Sequence, residues 1–163
     1  MRNIDHNEQL FSIGTVARML DVSVQTLRLY EQRGLILVKK SAGNQRLYSQ
    51  ADLERLRCLR HAIVEDKISL EGIRRIHSMI PCWAHVQCPM EQRLSCPAYG
   101  EHSAGCWTYK HSGNTCSTRD CTDCEIYCLS TDCNNIKLMI RDRLSGNTSN
   151  QFTAFPSTED SSV

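Results

Sequence analysis

Ser23 and Gly34 bracket the stretch that most constrains this chain. A serine hydroxyl accepts from an otherwise orphan amide at a helix start, and glycine takes the left-handed conformation that ends one. Between them, Val24 and Leu27 fall on one helical face, with Tyr30 and Glu31 a turn further on. The other face carries Gln25, Thr26, Arg28, Leu29 and Gln32. That set suits a DNA major groove, where Arg bonds guanine, Gln bonds adenine and an apolar tip meets a thymine methyl. Taken alone, the segment also reads as an ordinary amphipathic surface helix.

Its neighbours decide between the two. Ser12 to Leu20 reads as a short helix with Val16, Ala17 and Leu20 inward, and Asp21-Val22 makes a tight turn before Ser23. Two short helices joined this way form a helix-turn-helix, whose second helix enters the groove. Leu35-Ile36-Leu37-Val38 is β-prone, Lys39 to Asn44 is a basic turn, and Gln45-Arg46-Leu47-Tyr48 is a second short strand. The pattern predicts a two-stranded wing with cations where a phosphate backbone lies.

Phe11-Ser12-Ile13-Gly14, then Val22 to Leu35, then Asn44-Gln45-Arg46-Leu47-Tyr48-Ser49, resemble the MerR family of bacterial transcription regulators. The run Gln25 to Gly34 and the wing around Arg46 are most similar to its heat-shock repressor (HspR-like) branch. Many members carry two tyrosines where this chain has Leu29-Tyr30, and Gly-Tyr-Arg where it has Asn44-Gln45-Arg46. The resemblance implies a winged helix-turn-helix, double-stranded DNA as partner, and a homodimer. With the readings above, the candidate DNA contacts are Thr15, Gln25, Thr26, Arg28, Leu29, Tyr30, Lys39, Lys40, Asn44, Arg46 and Tyr48.

The expected fold class is mainly α: a winged helix-turn-helix domain over residues 10–80, then a small irregular cysteine-rich module. Residues 1–9 read as a flexible arm. Ser49 and Asp52 form a capping box that opens a helix to about Glu65, with Leu53, Leu56, Leu59, Ile63 and Val64 near core spacing. Arg55, Arg57 and Arg60 read as a mostly solvated face, and Cys58 as a small buried hydrophobe. Asp66-Lys67 break that helix, Ser69 caps another over Leu70 to Met79, and Pro81 ends it. Family members then continue into a long helix that pairs in the dimer, but here Cys82 follows at once.

Residues 1–80 carry 13 Lys/Arg against 9 Asp/Glu, net +4, while residues 81–163 carry 6 against 9, net −3. The basic half is the half that reads as DNA-binding. No signal-peptide core or bilayer-length apolar run occurs, so a cytoplasmic, non-membrane protein is expected.

A reducing cytoplasm disfavours structural disulfides, which makes the ten cysteines informative. Nine lie in residues 82–133, a segment poor in Leu, Ile and Val, which suggests that its order must come from cross-links. It holds an imperfect repeat: Cys82-Trp83, Cys88 and Cys96-x-x-Tyr99, then Cys106-Trp107, Cys116, Cys121 and Cys124-x-x-Tyr127. This resembles a bacterial module with two Cys-Trp pairs. Thiolates suit zinc or an iron–sulfur cluster, so Cys82, Cys88, Cys96, Cys106, Cys116, Cys121 and Cys124 are candidate metal ligands, with a redox switch as the second reading. Only Cys121-x-x-Cys124 has strong ligand spacing, and no βαβ pattern surrounds it to suggest an oxidoreductase. Catalysis is not expected. Residues 134–144 read as a short amphipathic helix and 145–163 as a disordered tail. The function expected is sequence-specific transcriptional regulation with a metal- or redox-responsive C-terminal module. The alternative is a metal- or redox-responsive adaptor that uses the winged fold for protein–protein contact.

Overall fold

A computed structural model of the protein describes residues 8, 10–131 and 133–145. The expected N-terminal arm and C-terminal tail lie outside the described residues, save Glu8 and Ser145. The fold is mainly helical with a small three-stranded sheet.

Helix α1 (Ile13–Leu20) starts at Ser12, whose hydroxyl accepts from the Thr15 amide, and ends at Asp21 with φ 50°. Helix α2 (Val24–Gln32) starts at Ser23, which caps the Thr26 amide. Its end is a Schellman turn. The Gly34 amide donates to the Glu31 carbonyl and the Leu35 amide to the Tyr30 carbonyl, with Gly34 at φ +68°. Val16, Ala17, Leu20, Leu27 and Tyr30 face inward.

The sheet has order β1-β3-β2, both pairs antiparallel, with β1 Phe11–Ser12, β2 Lys39–Lys40 and β3 Arg46–Tyr48. This corrects the expected wing. The first wing strand is not the apolar run 35–38 but the two lysines after it, Lys39 opposite Leu47 and Lys40 opposite Arg46. Leu35 and Ile36 are fully buried instead, because a core position satisfies those side chains better than a ladder at an exposed edge. The third strand, Phe11–Ser12, was absent from the sequence reading.

Helix α3 (Gln50–Val64) opens with the Ser49–Asp52 capping box and buries Leu53, Leu56, Leu59 and Ala62. Val64, expected inward, is exposed. Helix α4 (Leu70–Ser78) follows, capped by Ser69. These helices, α1 and α2 share the first core with Leu35, Ile36 and Tyr48.

Beyond Pro81 the chain runs through short turns of helix: α5 (Cys82–His85), α6 (Met90–Arg93), α7 (Pro97–Gly100), a 3-10 turn at Cys106–Thr108, a second at Cys121–Asp123, and α8 (Glu125–Leu129). Helix α9 (Cys133–Leu144) closes the described fold. The module has an apolar core, built on its own aromatics and on aliphatics from outside it. Trp107, Ile126 and Tyr127 pack with Ile80 after α4 and with Ile136 and Met139 of α9, while Leu37 and Ile76 reach in from the winged domain. A segment poor in aliphatics thus borrows them from both neighbours.

Two cores meet at Arg55 and His77. Arg55, read from sequence as solvated, is only 2% exposed. Its guanidinium lies 3.8 Å from the Tyr127 ring centroid and 5.9 Å from that of Trp107, and Nη2 donates to the Tyr127 carbonyl and Ser130 Oγ. Aromatic faces attract a desolvated cation, and Arg55 shares the α3 face of Leu59 and Ala62, four and seven residues on. His77 is also buried, edge-on to Trp107. Burial, and then the Arg55 charge, push its pKa down to about 4.

Two outcomes follow from this junction. Gly34 is held left-handed, and a Cβ there would stand 2.4 Å from Thr108 Cγ2. Gly34→Ala is expected to destabilise the protein by more than the roughly 1–2 kcal/mol of left-handed strain alone. Thr108→Ser, which removes that methyl, should recover the excess, as a double-mutant cycle of denaturant unfolding would show. For His77, the unfolded imidazole protonates near 6.5 and the folded one near 4, so neutral His77 favours the fold. Stability should fall by up to about 3 kcal/mol as pH drops through that window. His77→Gln should flatten this part of the pH–stability curve relative to wild type.

Candidate nucleic-acid interface

The Ser23 cap and the Gly34 turn set the ends of α2, and Leu27 and Tyr30 anchor it inward. Gln25, Arg28 and Gln32 are consequently exposed along its outer face, with Thr26 and Leu29 half-buried beside them. Thr26 Oγ1 lies 2.9 Å from Ser23 Oγ, so its hydroxyl is tied to the cap. Thr15 occupies the same place in α1, 3.0 Å from Ser12 Oγ. Arg18 of α1 and Arg33 at the end of α2 are also exposed and were not among the sequence candidates. Arg33 makes a 3.5 Å ion pair with Glu71 of α4.

The wing carries the remaining candidates. Lys40 is exposed on β2 and Asn44 at the tip, where φ is 60°. Arg46 Nε donates to Glu31 Oε2 at 2.6 Å. That bond joins β3 to α2. Lys39 is 3.8 Å from Asp123 of the cysteine module, a partly exposed pair of modest strength. Tyr30 and Tyr48 are corrections to the candidate set: both side chains are buried in the first core and present no surface to a duplex. Burial pushes the Tyr48 phenol up to about 12. Helical spacing already puts Tyr30 on the face of Val24 and Leu27, whereas the three-residue strand leaves the inward side of Tyr48 open.

The module grips this reading head from behind. Trp107 Nε1 donates to the Gly34 carbonyl at 2.8 Å, and Tyr127 Oη accepts from the Leu37 amide at 2.8 Å. Trp107 and Tyr127 meet edge to face, 5.3 Å between centroids. An open cleft of about 310 Å³ between the two parts is lined by Glu31, Gln32, Arg33, Gly34, Leu37, Arg74, Trp107 and Thr108. The Cys-Trp repeat contains Trp107 and Tyr127, but nothing in it identifies Gly34 and Leu37 as their partners.

The thiols divide into two groups. Cys82, Cys106, Cys121 and Cys124 pack against the second core. The Cys106 side chain pulls the Cys82 thiol down, while the Cys82 side chain, and then burial, push Cys106 well above the ordinary thiol range. Burial, and then the Cys82 and Cys124 charges, push Cys116 up to about 11. The other two are engaged elsewhere: Cys88 Sγ donates to Gln92 Oε1 at 3.8 Å, and Cys96 Sγ lies 3.8 Å from His111 Nδ1. Soft thiolates suit zinc or an iron–sulfur cluster, yet among the described residues no three His, Cys, Asp or Glu side chains converge as a metal site requires. The seven candidate ligands, so placed, do not form a closed site.

Comparison with known proteins agrees with this geometry. Residues 11–79 match the family described as MerR HTH family regulatory protein. The chain is 37% identical over 71 residues to the HTH-type transcriptional regulator ZntR of Escherichia coli, covering 43% of this chain and 50% of ZntR. It is 36% identical over 67 residues to the putative heat shock protein HspR of Streptomyces coelicolor, covering 41% and 44%. It is 35% identical over 60 residues to the mercuric resistance operon regulatory protein of Pseudomonas fluorescens, covering 36% and 42%. The chain thus spans about half the length of these curated relatives. Among the described residues no helix is long and apolar enough to cross a membrane. Residues 11–79 of this chain are a MerR-family helix-turn-helix domain.

Proposed function

We propose that the protein is a sequence-specific transcriptional regulator that binds double-stranded DNA, and that its cysteine module reports a chemical signal to the recognition helix. The observation that carries the reading is the exposed Gln25–Arg28–Gln32 face of α2, held between a capped start and a glycine end, with Lys40 and Asn44 on the adjoining wing. Helix α2 occupies a promoter half-site by its outer face, and the wing lies along the phosphate backbone. A homodimer would read two half-sites about one helical turn apart. Helix α4 is followed by the four-residue α5 rather than by a long pairing helix, so the dimer would be built by other surfaces of the chain.

The signal is thiol chemistry. ZntR and the mercuric regulator bear names that point to metals, and a soft metal ion is one class of input for thiols. Oxidation of the free, half-buried thiols is the other. A mobility-shift assay against the protein's own promoter region, reduced and oxidised, tests the whole reading. A saturable, sequence-dependent shift is expected. Equal affinity for scrambled DNA would refute it.

Arg28→Ala should weaken specific binding by about 1–3 kcal/mol, the scale of one good base contact, and relax discrimination at one base position. Competition with single-base operator variants would read this. Lys40→Ala should instead weaken binding almost evenly across sequences and lower the slope of log affinity against log salt by about one. A salt titration on cognate and non-cognate duplexes separates the two roles.

A further inference from the structure

We infer that the cleft between the end of α2 and the module is a site for a small organic monocarboxylate, whose binding weakens the hold on DNA. The second clause rests on the regulator reading, whereas the site does not. The cleft lies where two packed parts of the chain meet, a usual place for a small-molecule site. Its volume of about 310 Å³ stands at the lower end of the roughly 300–1,000 Å³ that such sites occupy, so the ligand is compact.

The walls combine two chemistries. Leu37 and the Trp107 indole are apolar, and Trp107 is fixed by its bond to the Gly34 carbonyl. Arg33, at the end of α2, and Arg74, on α4, bring two guanidinium groups to the same cleft. Charge then decides the class of ligand. Glu31, the acidic residue of the wall, is already held by Arg46 at 2.6 Å. Arg33 and Arg74 share one carboxylate, Glu71. One positive charge is left over, which suits a monoanion better than a dianion.

The sharing is uneven. Arg74 Nη1 holds both Glu71 oxygens, at 2.7 and 3.0 Å. Arg33 reaches Glu71 only at 3.5 Å, and both side chains of that pair are about half exposed. A pair so placed is weak, so Arg33 turns to a ligand at little cost. Arg74 Nε is buried and has no hydrogen-bond partner among the described residues. A charged donor left in that state is rare in a folded protein, and it marks Arg74 as a cation whose hydrogen bonding is incomplete. A carboxylate matches a guanidinium fork in shape and takes two N–H bonds at once.

Position gives the consequence. Gln32 lines the cleft and also belongs to the exposed outer face of α2, one turn beyond Arg28. An anion seated beside Gln32 faces the phosphates that this face approaches, and like charges repel over about 8–10 Å at ordinary salt. Occupancy of the cleft and of the promoter therefore oppose each other, and by linkage each lowers the other's affinity by the same factor.

The test titrates the reduced full-length chain, without DNA, by calorimetry with benzoate, with its neutral counterpart benzamide, and with phenyl phosphate. One saturable site for benzoate is expected, with phenyl phosphate no tighter. Benzamide should bind at least about 10-fold more weakly, the scale of one charge-assisted hydrogen bond. Arg33→Gln changes a half-exposed side chain, and should weaken benzoate by about the same 10-fold. Arg74→Gln should do likewise, with thermal unfolding to show that it folds. Saturating benzoate should lower promoter affinity by about 2- to 5-fold, and the promoter should lower benzoate affinity by that factor. Absence of saturable benzoate binding would overturn the proposal. So would benzamide that binds as tightly as benzoate, or an Arg33→Gln chain that binds benzoate as the wild type does. Tighter binding of phenyl phosphate would assign the cleft to a phosphate ester and overturn the carboxylate. Promoter binding that ignores benzoate would overturn the coupling. A chain that binds benzoate but no DNA would overturn the regulator reading and leave the site standing.

Discussion

The hydrogen bond from the Trp107 indole to the Gly34 carbonyl is the contact on which the arrangement depends. Gly34 answers two demands at once. Its left-handed φ lets the Schellman turn end α2, and its missing Cβ lets Thr108 of the module lie against the backbone. Either demand alone excludes most side chains. Together they place the end of the recognition helix, the start of the wing segment and the module turn within one packed unit. The second tie, Leu37 amide to Tyr127 hydroxyl, holds the chain three residues further on. The module turn therefore packs at the root of the helix that faces outward with Gln25 and Arg28.

A buried cation seals the junction. Among the described residues Arg55 makes no salt bridge to a carboxylate, though the Asp52 charge one turn back acts on it. Two aromatic rings, a carbonyl and a serine hydroxyl take the place of one, and among the described residues Nη1 has no hydrogen-bond partner. An ionised group so placed is costly unless its surroundings are preformed. The arrangement exists only while Tyr127 and Trp107 cover α3, so the two parts of the chain depend on each other. His77, buried neutral against Trp107, adds a pH dependence to the same junction. The basic and acidic halves of the chain also meet there, with Lys39 of the wing facing Asp123 of the module.

The module also shows how a cysteine-rich segment poor in aliphatics assembles an apolar core. Its aromatic pair supplies area, and Ile80, Leu37, Ile136 and Met139 from flanking segments complete a core. Cys82, Cys106, Cys121 and Cys124 sit at the edge of that core, half-buried. Packing holds them in place and leaves their chemistry available.

Much of the winged domain was legible from sequence, because it is written in local rules. Ser23, Ser49 and Ser69 cap helices by reaching amides three residues ahead, and the inward Val16, Ala17, Leu20 and Leu27 follow helical spacing. The glycine end of α2 and the outward Gln25–Arg28 face were equally readable, since both depend on residues within a turn or two. Other features needed the tertiary structure. Burial of Leu35 and Ile36 displaced the wing strand onto Lys39–Lys40, a competition between core and ladder that no local pattern settles. Tyr48 went inward, and Arg55 became the centre of a junction rather than a solvated charge. The partners of Arg55, Gly34 and Leu37 lie 72 to 90 positions away in the chain. Caps and periodicity act over about four residues, whereas a contact across such distances exists only once both cores have formed around it.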